Sequence, residues 1–94
     1  MITSKTNPKI KNIIKLEKAS ERREQNRILI EGRREIERAV DCGFEVDTLF
    51  VCPEIAKNGA AITARSIEEV SLEVFEKIAY REGSDGLLAV AIPK

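Results

Sequence analysis

Two unbroken apolar runs, Ile28-Leu29-Ile30 and Gly86-Leu87-Leu88-Ala89-Val90-Ala91-Ile92, constrain this chain more than any other feature. Successive side chains of a strand point to opposite faces of its sheet, so a run that is apolar at every position needs cover on both sides. A sheet with helices on both faces meets that demand. The second run is the most apolar in the chain and is expected to be the central strand.

The remaining sequence supplies the covering layers. Thr6-Asn7-Pro8 announces a first helix, with a capping side chain followed by proline at the first helical position. Ile10, Ile13 and Ile14 follow at helical spacing, flanked by Leu16. At ~100° per residue, Lys11, Lys15 and Lys18 gather on a different face. Extending this helix past Ser20 would turn Glu17, Glu21 and Glu24 toward the core, so it is expected to end near Ala19 or Ser20. Glu21 to Asn26 then reads as a charged connector.

Arg27 to Ile30 is the first expected strand, Glu31-Gly32 a turn, and Ile36, Ala39 and Val40 the apolar stripe of a second helix that Gly43 stops. Phe44 to Cys52 is the second strand, broken by Pro53. Glu54 to Lys57 can begin a short helix, Asn58-Gly59 marks a turn, and the third strand is either Ala61 to Ala64 or Ile67 to Val70. Ser71 opens a helix carrying Leu72, Phe75, Ile78 and Ala79, with Val70 and Phe75 placed as a hydrophobic staple. Arg81 to Asp85 is a polar loop leading to the last strand. Four strands alternating with helices predict an α/β fold: a three-layer α/β/α sandwich around a small, mostly parallel four-stranded sheet.

Several functions are excluded by what is missing. The 94 residues contain no His, which removes His-activated nucleophiles and His-ligated metals. Cys42 and Cys52 lack metal-binding spacing, and each stands where an apolar residue is expected. Both are read as buried free thiols of a cytoplasmic protein. No apolar stretch approaches the ~18 residues of a membrane span, and the polar N-terminus has no secretory pattern. Trp is absent and aromatics are only 4% of the chain, which argues against a base-stacking platform for single strands.

The net charge of zero hides a polarity. Residues 1–38 hold eleven Lys/Arg against six Glu, and residues 39–94 hold five against ten Asp/Glu. Arg33 and Arg34 open the helix after Gly32, an unfavourable place for cations beside the helix dipole, although phosphates suit both arginine forks and helix N-termini. The plainer alternative is a lattice of surface ion pairs, Arg34 with Glu37 or Arg38 with Asp41. Glu31 and Gly32 are expected to shape the turn, with Glu31 pinned by Arg33, Arg34 or a backbone amide rather than acting as a base. Gly83-Ser84-Asp85-Gly86 precedes a strand and so reads as a tight connection, not a phosphate loop.

Asn7-Pro8-x-Ile10-Lys11, Leu16, Arg22 ten residues ahead of Gly32, Ile28-Leu29-Ile30-Glu31-Gly32, Ala39, Gly43 and the closing Gly86-Leu87-Leu88-Ala89-Val90 appear in that order. Together they resemble the N-terminal substrate-binding domain of the SpoU/TrmH-family RNA methyltransferases, over residues 3–93. Asp85 stands where that family commonly has Gln, and Arg27 where a small or apolar residue is usual. The resemblance implies a fold like that of kink-turn-binding ribosomal proteins and a structured RNA partner, ribosomal rather than transfer RNA. It also implies a separate C-terminal knotted domain that binds S-adenosylmethionine and methylates a ribose 2′-hydroxyl.

Residues 1–94 are then expected to be the RNA-binding domain alone: non-catalytic, holding neither metal nor cofactor, with any homodimer formed chiefly through the other domain. The family pattern carries over Asn7, Lys11 and Arg22 as RNA-binding residues. Lys15 and Lys18 join them by spacing, and Arg33 and Arg34 by their place at a helix start. Two alternatives stand beside this reading. A stand-alone ribosomal RNA-binding protein would carry a glycine-Asn-Glu loop entering a helix, which Glu31-Gly32-Arg33 does not supply. A protein-interaction module would work through the acidic half, with Glu68, Glu69, Glu73 and Glu76.

Overall fold

The structure, a computed structural model, describes residues 1–56, 62–80 and 83–94. In chain order the elements are α1 (Pro8–Lys15), α2 (Ala19–Gln25), β1 (Ile28–Glu31), α3 (Arg33–Asp41), β2 (Glu45–Val51), β3 (Ser66–Glu69), α4 (Leu72–Ile78) and β4 (Leu87–Ile92). The strands form one sheet in the order β1-β4-β2-β3. As expected, the apolar run near the C-terminus is an inner strand.

Its direction was not foreseen. β4 runs antiparallel to both β1 and β2, and only β2 and β3 pair in parallel. Three strands therefore point the same way, but two of the three ladders are antiparallel and the sheet is mixed. The cause is the course of α4. Its seven residues span only about 10 Å. Val70, just ahead of it, bonds to the Val51 carbonyl at the C-terminal end of β2, and Tyr80, just after it, bonds to Glu31 at the C-terminal end of β1. The helix thus crosses one end of the sheet without returning along it, and β4 must start from that end.

A β-bulge sorts the side chains of β2. Strict alternation would put Val46 and Leu49 on opposite faces. The ladder shifts register between Val46 and Thr48, leaving Asp47 as an extra residue. Val46, Leu49 and Val51 then share one face with Ile36 of α3 and with Leu87 and Ala89. Phe50 and Cys52 join the other face with Ile10, Ile13 and Leu16 of α1, Val74, Phe75 and Ile78 around α4, and Leu88 and Val90. Residues 87–90 thus alternate between two cores, which is why the run must be apolar throughout. The three expected layers are present.

The expected first helix is two. α1 stops at Lys15, and most of the expected charged connector is α2, which buries no residue. Polar contacts fix α2 against α1. The side-chain amides of Asn12 and Gln25 donate to each other at 3.1 and 2.9 Å. Arg22 Nη1 donates to the Leu16 and Glu17 carbonyls at 2.9 and 2.8 Å, closing groups that the end of α1 leaves open.

Of the two alternatives for the third strand, the one beginning at Ile67 matches β3; Ile62 to Ala64 form no strand. Lys57 to Ala61, including the expected Asn58-Gly59 turn, lie outside the described residues. Ser71 caps α4 by accepting from the Val74 N–H at 3.3 Å, and Val70 and Phe75 meet in the same cluster. Both cysteines are free. Cys52 is buried, but Cys42 is exposed, because it caps α3 beyond the helix face that reaches the core. No helix among the described residues is long and apolar enough to cross a membrane.

Candidate nucleic-acid interface

The cations of the first forty residues fall into two groups. Asn7 is the cap of α1, its side chain accepting from the Lys9 N–H at 2.9 Å. Beside it, Lys5 pairs with Glu73 at 3.3 Å and Lys9 with Glu68. Arg27 reaches Asp47, the bulge residue, at 3.1 Å, and Arg38 lies 3.8 Å from Glu35 rather than beside Asp41. Lys11, Lys15 and Lys18, farther along α1 and just past it, are exposed and meet no carboxylate among the described residues. The same holds for Arg23 and Arg34. An ion-pair lattice therefore accounts for part of the basic set and leaves Lys11, Lys15 and Lys18 open, the last of them beyond the end of α1 as the cap of α2.

The turn between β1 and α3 is built from both ends of the chain. Gly32 is the α3 cap residue at φ 96°, a conformation that favours glycine, and it has no side chain to close the helix start. Asp85 supplies the missing acceptor, taking the Arg33 N–H at 2.8 Å. Its carboxylate also sits favourably at the positive end of the helix, where Arg33 and Arg34 are unfavourable.

Glu31 is buried, 1% exposed. Its Oε1 accepts from the Tyr80 N–H at 2.8 Å, and its own N–H donates to the Tyr80 hydroxyl at 3.1 Å. The residue that pins Glu31 is therefore Tyr80. Oε2 of Glu31 has no hydrogen-bond partner among the described residues.

Sequence reasoning missed Tyr80. A lone tyrosine after a helix carries no local signal, and its partner lies 49 positions away. Tyr80 lines a groove of about 390 Å3 beside β1, together with Leu16, Glu17, Arg22, Ile28 and Leu29, and it borders a second cavity beside α4. The fold thus brings Arg22 and the end of α1 to the β1 side of the sheet, and it ties Tyr80 to the Glu31-Gly32 turn there. Asn7 stands at the other end of α1 and is engaged as a cap. No group of three or more potential metal ligands occurs among the described residues. The arrangement can bind anions and stack on a ring.

These features define a small three-layer α/β domain with an exposed basic side. Residues 7–89 match the MRM3-like substrate-binding domain, and the chain belongs to that family. Among solved structures, it is similar to an RNA 2′-O ribose methyltransferase, with 40% identity and a TM-score of 0.80 over 99% of this chain and 37% of that one. An rRNA methyltransferase from Sinorhizobium meliloti shares 24% identity over 99% of this chain and 36% of its own, with a TM-score of 0.74. The SpoU methyltransferase AviRb from Streptomyces viridochromogenes, in complex with AdoMet, shares 17% identity over 94% and 36%, also at 0.74. The last two likenesses concern the fold alone. This chain spans little more than a third of each of these proteins. No curated protein matches it in sequence.

Proposed function

We propose that the chain is the RNA-docking domain of an S-adenosylmethionine-dependent RNA 2′-O-ribose methyltransferase that acts in the cytoplasm on structured ribosomal RNA. The observation that carries this reading is the set Lys11, Lys15 and Lys18, exposed and without a carboxylate among the described residues. Cations left unpaired on a folded surface are available to phosphates. Arg22 and Arg34 extend the surface at the ends of β1. Phosphate and 2′-hydroxyl contacts of this kind read the shape of an RNA helix rather than its sequence.

Methyl transfer belongs to a part of the protein other than this domain. A cavity of about 550 Å3 is lined by Ile55, Leu72, Phe75 and Ala79 together with the polar Glu76, Tyr80 and Ser84. Its described lining carries no buried polar side chain that would fix a methyl donor. The acidic half is a poorer candidate for the working face, because Glu68 and Glu73 are already engaged by Lys9 and Lys5.

The test is a salt titration of binding to a structured ribosomal RNA fragment. Docking through several phosphates makes log affinity fall steeply and linearly with log salt, by roughly 0.7–0.9 per contact. Absence of binding at low salt refutes the reading.

A further inference from the structure

Tyr80 is the single tyrosine of the chain, and there is no tryptophan. It is 62% exposed, yet held at both ends: its N–H donates to Glu31 Oε1 and its hydroxyl accepts the Glu31 N–H. A ring fixed in advance loses little freedom when something stacks on it. β1, beside it, is an edge strand. Gly32 N–H donates to the Leu87 carbonyl across the β1–β4 ladder. Antiparallel pairing alternates, so Ile28 and Ile30 turn their backbone groups toward β4, while Leu29 and Glu31 turn theirs outward. The bond from the Glu31 N–H to Tyr80 agrees with this phase. The outward N–H and C=O of Leu29 have no partner among the described residues. Arg22 uses Nη1 on two carbonyls, and its Nε and Nη2 have no partner among the described residues.

We propose that this edge holds one unpaired nucleotide of the RNA. Its base stacks on Tyr80, its polar edge meets the N–H and C=O of Leu29, and its phosphate lies at the open side of Arg22. The inference rests on the RNA-docking reading and deepens it from shape recognition to recognition of a flipped-out or loop base. It is compatible with the scarcity of aromatics, since one ring serves one base. An added protein strand fits the edge less well. Such a strand would need the outward amides of both Leu29 and Glu31, and the Tyr80 hydroxyl already occupies the second.

Tyrosine emission from this chain reports Tyr80 alone. The chain is titrated at low salt with a labelled ribosomal stem–loop and with a blunt duplex made from its stem, reading anisotropy for binding and tyrosine emission, corrected for RNA absorption, for stacking. Both RNAs are expected to bind and only the stem–loop to quench. Tyr80→Leu and Tyr80→Phe both delete the hydroxyl and differ in the ring. The Leu variant is expected to bind the stem–loop about tenfold more weakly than the Phe variant, with equal duplex affinity. Stem–loop binding without quenching, or equal stem–loop affinity of the two variants, overturns the inference and leaves RNA docking intact. Failure of both RNAs to bind overturns the docking reading as well. Emission that changes with protein concentration alone overturns the inference in favour of strand addition by a second copy.

Discussion

The two outer strands of the sheet, β3 and β1, are each four residues long and are finished in opposite ways. At β3, Ile2 lies alongside in parallel, donating to the Glu69 carbonyl at 2.8 Å and accepting from the Ser71 N–H at 3.0 Å. Carboxylates there face the lysines at the start of α1, and Arg65 pairs with Glu45 nearby. That edge is capped at its C-terminal end, and Glu68, one of its two carboxylates, is matched. At β1, Leu29 points its backbone groups outward with no partner among the described residues, and the lysines toward the end of α1 are unmatched. An uncovered strand edge is a template for contact, and natural proteins usually blunt it. The difference teaches that a net charge of zero says little about binding. Which cations the fold has already paired says more.

The sharpest way to break the comparison is to neutralise matched sets on the two sides. Lys11, Lys15 and Lys18 changed together to Gln are expected to lower RNA affinity at least about a hundredfold near 0.1 M salt and to shrink the salt slope by about two to three. Lys5 and Lys9 changed to Gln are expected to change affinity less than about threefold. Equal losses would dissolve the distinction between the sides.

Stability measurements sharpen it further. Glu31→Ala leaves the Tyr80 N–H without its acceptor and opens a buried space, at about 1–3 kcal/mol in urea unfolding. Arg22→Ala uncaps the end of α1 for about 1–2 kcal/mol, and Arg22→Lys restores less than half, because the lysine nitrogen is carried on a shorter side chain than Nη1. Arg65→Ala, on the β3 side, removes a pair whose side chains are 58% and 50% exposed. It is expected to cost about 0.5 kcal/mol or less, vanishing in high salt.

Much of the layering was legible in the sequence, because burial on two faces leaves an unbroken run and burial on one helix face leaves a stripe. The direction of β4 was not, since Leu87 to Ile92 are apolar throughout and read alike in a parallel or an antiparallel ladder. The bulge at Asp47 shows only as the odd spacing of Val46 and Leu49. α2 left no apolar period because Asn12, Gln25 and Arg22 hold it through polar groups. The helical spacing that groups Lys11 and Lys15 does not extend to Lys18, because α1 ends at Lys15 and Lys18 is the extended cap of α2. That Lys9 would be engaged was not legible, its partner Glu68 being 59 positions away. Arg22 was picked out as a candidate contact, but its bonds to Leu16 and Glu17 depend on a helix break that the pattern placed too late.

The inner position of β4 has a bearing on how the molecule is made. β1 on one side and β2 with β3 on the other share no ladder, and the strand that joins them is translated after all three. A nascent chain that has emerged only as far as Tyr80 holds the β2–β3 pair and a lone β1, each with an open margin where β4 will insert. Assembly therefore waits on contacts distant in sequence, a slow and aggregation-exposed step, and a pause in translation before Leu87 prolongs the time those margins stay open.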